Sequence, residues 1–152
     1  MKMNFDLTWS GLFQPVPVYR EDGSVAYTIR RLPLGSLLLF NESGERIGSI
    51  SFRYNLRLGP DLYIGKAAHV KNLQTEWYQI HYFHFWTAEK IRGEDSYRVY
   101  IHQGEPIGTI TPEKLSIFRN HYTLQAEDPK YFMMMILLSL TIYIKNTYKA
   151  VK

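Results

Sequence analysis

The strongest pattern in the chain is an apolar run near its end. From Tyr131 to Ile144 only Ser139 and Thr141 interrupt 14 residues of aliphatic and aromatic side chains, and no polar stripe recurs at helical spacing. Asp128 and Pro129 precede the run as an N-cap and a first-turn proline, and Lys145 and Asn146 follow it as a stop signal. The pattern predicts a helix over residues 129–146. A helix apolar on every side lies either inside protein or in lipid. Fourteen residues rise about 21 Å, whereas a bilayer core of about 30 Å takes about 20 residues. The reading is therefore a helix buried in protein, with a tail anchor as the competing one.

From about residue 13 to 126 the text changes to short alternating or apolar runs. Turn signals recur every 8–12 residues or so, as in all-β proteins. Asp22-Gly23, Ser43-Gly44 and Gln103-Gly104 read as hairpin turns, and Gly59-Pro60-Asp61 and Gly93-Glu94-Asp95 as further breaks. Three hairpins line up: Gly23–Ile29, Gly44–Ile50 and Gly104–Ile110 share the glycine and the closing isoleucine, and the last two also share Glu, Ile and Gly between them. This is a repeated meander, or else turn chemistry alone making hairpins look alike. Trp77–Trp86 is the most aromatic stretch; neither period-2 face is polar, so it reads as a strand covered on both sides or bent midway. The count is ten to twelve strands and one helix. A sheet curled around that helix hides both apolar surfaces and removes exposed edges.

Composition narrows the chemistry. The 152 residues fit one domain spanning 1–152. Absence of cysteine excludes disulfides, thiol nucleophiles and zinc–thiolate sites. No apolar segment of signal-peptide length opens the chain, so a cytoplasmic protein is expected. A net charge of +4 favours anionic partners mildly.

The meander around Gly-x-x-Ile-Gly-x-Ile, followed by Lys114–Phe118, Tyr122–Leu124, Asp128 and the apolar terminal helix, resembles the tubby C-terminal-like superfamily over about Tyr19 to Lys145. That superfamily takes in tubby proteins, phospholipid scramblases, LURP-one-related proteins and small bacterial members, and the likeness is nearest to the last. It implies a mainly β fold: a closed antiparallel barrel of about twelve strands around a central hydrophobic C-terminal helix. It also implies lipid association, since tubby proteins bind phosphoinositides through basic residues. The acidic calcium segment associated with scramblases has no counterpart here. Glu127 and Asp128 are the acids near the helix, and Tyr143 stands where relatives often carry aspartate.

No glycine-rich phosphate loop, nucleophile elbow or paired-carboxylate motif is present, so an enzyme is not expected, nor a cofactor. His81 and His84 have the spacing of a metal pair as a string, but three residues along a strand put them on opposite faces. No metal site is expected. Met133–Met135 suits either an adaptable cavity lining or a packed helix start. The aromatics interleaved with bases have the look of single-strand nucleic-acid binders, but a core role explains most of them better. The basic residues are the best lead. Arg30 and Arg31 follow the first hairpin, Arg53 and Arg57 the second, and Lys66 and Lys71 come soon after. With the first two repeats side by side, these six would share one rim able to hold phosphate or an anionic lipid headgroup. The expected protein is a non-enzymatic barrel of this kind, peripheral at a membrane. A protein-interaction scaffold is the alternative and a tail-anchored protein the third.

Overall fold

The structure, a computed structural model, describes residues 1–8, 14–32, 37–50, 55–58, 62–66, 79–82, 86–101, 104–116 and 119–151. For 55–58, 62–66, 79–82 and 144–151 the description is of the backbone. Among the described residues twelve strands precede one α-helix: β1 (Lys2–Thr8), β2 (Val16–Arg20), β3 (Val25–Arg31), β4 (Leu37–Phe40), β5 (Arg46–Ile50), β6 (Asn55–Leu58), β7 (Leu62–Lys66), β8 (Gln79–Tyr82), β9 (Trp86–Lys90), β10 (Tyr97–Ile101), β11 (Pro106–Lys114), β12 (Arg119–Ala126) and α1 (Phe132–Val151). They form one antiparallel sheet in the order β7-β6-β5-β4-β3-β2-β1-β12-β11-β10-β9-β8.

The meander repeat is visible in the ladders. In each of the three aligned hairpins the register shifts at the same offset, between Val18 and Tyr19, Leu39 and Phe40, and Val99 and Tyr100. The residue four before the turn glycine (Tyr19, Phe40 or Tyr100) then pairs with the residue two after it (Val25, Arg46 or Pro106). The shared isoleucines Ile29, Ile50 and Ile110 are all buried. Turn chemistry alone would not place identical bulges and identical core residues outside the turns. Gly23 and Gly44 take φ of +86° and +85°, the left-handed conformation that costs glycine little.

The helix organises the core. Phe132 and every residue from Met134 to Tyr143 are buried, around the full circumference of α1. Ser139 and Thr141 stay satisfied by donating to the carbonyls of Met135 (2.8 Å) and Leu137 (3.0 Å). α1 packs on both β5 and β12. Those strands are five steps apart along the sheet, about 24 Å if it were flat, while a helix is about 10 Å across. The sheet therefore curls around the helix. Among the described residues no ladder joins β7 to β8, so these two strands are the ends of the sheet and the expected closure into a barrel is not shown.

Three expectations need correction. The first strand lies upstream of residue 13. Met3, Phe5 and Leu7 are buried and alternate with Asn4, Asp6 and Thr8, and β1 pairs along its whole length with β12. Second, the aromatic stretch is no single strand. Tyr82 pairs with Trp86, so the chain reverses between them without a glycine or proline to mark it. Third, the helix begins one 3-10 turn later, after Pro129–Tyr131, with Asp128 accepting from the Lys130 amide at 3.0 Å. It runs on to Val151, because Asn146 is only a weak breaker and no glycine or proline follows.

Candidate functional site

The two ends of the curled sheet differ, and α1 defines them. β12 leads at Ala126 into the start of α1, so this is the entry end. The hairpin turns Arg20–Ser24 and Asn41–Glu45 lie here too. At the other end, the far end, β3 finishes at Arg31, whose guanidinium donates to the Tyr143 hydroxyl late in α1 at 3.0 Å.

Arg30 and Arg31 do not share a rim. Successive residues of a strand face opposite sides. Arg31 pairs in register with buried Leu37 and so turns inward to the helix, where its guanidinium also sits 5.7 Å from the Tyr143 ring centroid. Arg30 is exposed on the outer face, 5.8 Å from the Phe40 ring centroid. The first two repeats do pack side by side through β3 and β4, as the rim reading required. One register row then runs Arg30, Leu38, Ser49, Arg57 across β3 to β6. Three strand spacings separate its two arginines, about 14 Å. Lys66 closes β7 opposite Asn55. Arg53 and Lys71 lie outside the described residues.

The wider observation is compositional. β3 to β7 contain Arg30, Arg31, Arg46, Arg57 and Lys66 and no acidic residue at all. No acid pairs with Arg30 among the described residues. Its guanidinium, exposed beside the Phe40 ring, carries N–H donors of the kind that bind phosphate bidentately.

Two features escaped the sequence reading. Asp6 on β1 pairs with both His121 and Arg119 of β12, at one wall of a cleft of about 230 Å³ lined also by Asn4, Thr8 and Tyr19. Partial burial pushes the Asp6 carboxyl up, but hydrogen bonds and charge from Arg119 and His121 outweigh it and hold the group below its ordinary value. At the entry end a cavity of about 580 Å³ has an apolar floor including Met3, Ala26 and Phe132. Its rim charges, Lys2 and Arg20 against Glu21, Asp22 and Glu42, are largely tied to one another or to backbone. The alternation of β1 was the signal for the first feature; the second needs two hairpins and the starts of β1 and α1 together in space. The described residues hold no cluster of metal-ligating side chains, and no helix among them is long and apolar enough to cross a membrane.

These features define a class: a single antiparallel sheet curled around a buried C-terminal helix, with one acid-free half-sheet. A protein from Arabidopsis thaliana solved by X-ray crystallography is similar in fold. The alignment covers 97% of this chain and 91% of that one, with a TM-score of 0.55 and 10% sequence identity. Neither a protein-family model nor a curated protein matches the sequence.

Proposed function

We propose that this chain is a tubby-like barrel without enzymatic activity that binds an anionic lipid headgroup or a phosphorylated ligand on the outer face of β3 to β7. The supporting observation is the charge of that half-sheet: no acid over five adjacent strands, with Arg30 and Arg46 exposed and Arg57 in the register row of Arg30. In this reading the sheet closes by bringing β7 and β8 together, which would carry the basic surface around to the aromatic strands.

The test is binding to vesicles with and without anionic lipid, across a salt series. Binding requires the anionic lipid and weakens as salt rises, because exposed charges are screened beyond about 8–10 Å at physiological ionic strength. A base near an acidic surface contributes about 1 kcal/mol, so Arg30→Glu with Arg57→Glu lowers affinity more than tenfold. Equal binding to neutral and anionic vesicles, or none at low salt, rejects the reading and favours a protein-interaction scaffold.

A further inference from the structure

The cavity at the entry end reaches the start of the helix. Met3, Ala26 and Phe132 on its floor are all buried members of the core, so an occupant would rest on the core itself. Its volume of about 580 Å³ lies within the range of ligand-binding clefts. Apolar surface continues outside it. Met1 on the rim is 61% exposed, and Tyr19 and Val25, paired in register beside the β2–β3 turn, are 39% and 40% exposed. The other large exposed hydrophobic side chains among the described residues, Leu32 and Leu115, stand at the far end.

The mouth of the cavity is acidic. Glu21 and Asp22 on the β2–β3 turn and Glu42 on the β4–β5 turn line it, all exposed. Each commits one carboxylate oxygen: Glu21 to the Lys2 amide at 2.7 Å, Asp22 to the Ser24 amide and hydroxyl at 2.9 and 2.6 Å, and Glu42 to Arg20 at 2.8 Å. Among the described residues the second oxygen of each is uncommitted. Glu45, Glu105, Glu127 and Asp128 stand at the same end without lining the cavity. The bases there are Lys2, Arg20, Arg46 and Lys130, of which Arg20 pairs with Glu42 and Lys130 with Asp128. The described residues of this end thus carry seven acids against four bases, in a chain whose net charge is +4.

We infer that the entry end docks a peptide segment of a partner protein in which large apolar side chains are flanked by lysine or arginine. The apolar side chains seat on Met3, Ala26 and Phe132, and the flanking bases meet the carboxylates around the mouth. The inference is independent of the anionic-ligand reading, which uses the outer face of β3 to β7. Charge complementarity selects the sign of the partner. The spread of the acids selects its size. A small molecule held on the floor meets only the three acids of the lining, whereas a peptide with bases on both sides of its apolar residues meets Glu45, Glu105 and Glu127 as well. The division of labour is that of many interfaces: apolar anchors in a pocket supply most of the affinity, and charges on the rim supply encounter rate and specificity.

The test is selection of a phage-displayed library of random peptides against the intact protein, with the selected peptides synthesised and titrated by fluorescence anisotropy. The selected sequences combine leucine, phenylalanine or methionine with lysine or arginine, and their affinity falls as salt rises. Ser43→Trp places a ring at the exposed lip of the cavity; Glu45→Lys with Glu127→Lys reverses charge around it and leaves its lining unchanged. Each variant weakens peptide binding about tenfold or more. The three substituted positions are exposed, so both variants keep the urea midpoint of the parent, and a loss of affinity is not a loss of fold. Selected peptides that are acidic or uncharged, or that bind both variants as tightly as the parent, overturn the inference, and so does a library that yields no binder. Self-association of the parent in sedimentation velocity that both variants abolish would make the occupant a second copy, and overturns a partner protein's peptide.

Discussion

The Arg31 guanidinium donates to the Tyr143 hydroxyl at 3.0 Å and lies 5.7 Å from the same ring's centroid. A strand residue and a helix residue 112 positions apart are thus joined by two contacts through one side chain. Tyr143 is 4% exposed, so its hydroxyl has few other partners to turn to. Tyr143→Phe keeps the ring contact and removes the hydrogen bond, at a cost of about 0.5–1.5 kcal/mol. Arg31→Ala removes both and costs more, and the double variant costs less than the sum of the two. Urea unfolding of the four proteins measures the coupling; strict additivity would mean that the pair contributes nothing jointly.

Arg30 and Arg31 are expected to behave as opposites. Arg30→Ala lowers affinity for anionic vesicles and leaves the urea midpoint within error, because its side chain is exposed. Arg31→Ala lowers the midpoint with the smaller effect on vesicle binding. The reverse pattern would show that the outer face is not the binding surface.

Gly108 has no room for a side chain. A Cβ there would collide with the Gln125 carbonyl oxygen on β12 and lie 2.9 Å from the Met135 methyl on α1. The first neighbour is backbone and cannot rotate away. Gly108→Ala therefore costs about 1–3 kcal/mol, and adding Met135→Ala does not restore the loss. A melting temperature equal to that of the parent would show that β11 and β12 part easily.

Leu138 is fully buried in the middle of α1. An unpaired charge there costs several kcal/mol against a total stability of about 5–15 kcal/mol. Leu138→Asp should lose its cooperative melting transition by circular dichroism and elute as aggregate. A folded monomer would show that the helix can leave the sheet.

Asp6 ties the first strand to the last through His121 and Arg119. Its carboxyl is held below the ordinary value, burial pushing it up and the two partners pushing it down further. A depressed folded value means stability present above the unfolded value, about 3.9, and lost as pH falls through the folded one. Asp6→Asn lacks this contribution at every pH. The gap in melting temperature between the two proteins is therefore widest above about pH 5 and closes toward pH 2. A gap independent of pH would remove the carboxylate from the stability of β1.

The class of the fold is written in two periods. The turn signals and the alternation from Val16 onward mark strands because a half-buried strand must alternate, and Tyr131–Ile144 marks a core helix because no polar stripe relieves it. The repeat was legible as well: Ile29, Ile50 and Ile110 recur at one offset because each must reach the core from the same bulged hairpin. β1 was legible too in the alternation of Met3, Phe5 and Leu7, a period-2 signal as clear as any later one. The reversal between Tyr82 and Trp86 was not, since no glycine or proline marks it. The position of Arg31 was half legible: adjacent strand residues part to opposite faces, but which of Arg30 and Arg31 turns inward depends on register with Leu37, which the chain sets only when β3 and β4 meet. The pairing of Asp6 with His121 and the contact of Gly108 with Met135 join residues far apart in the chain. They arise because every strand reverses direction and the sheet curls around α1, so that alternate connections collect at the same end. That is a property of strand order and closure distance in space, to which local hydrophobic periodicity is blind.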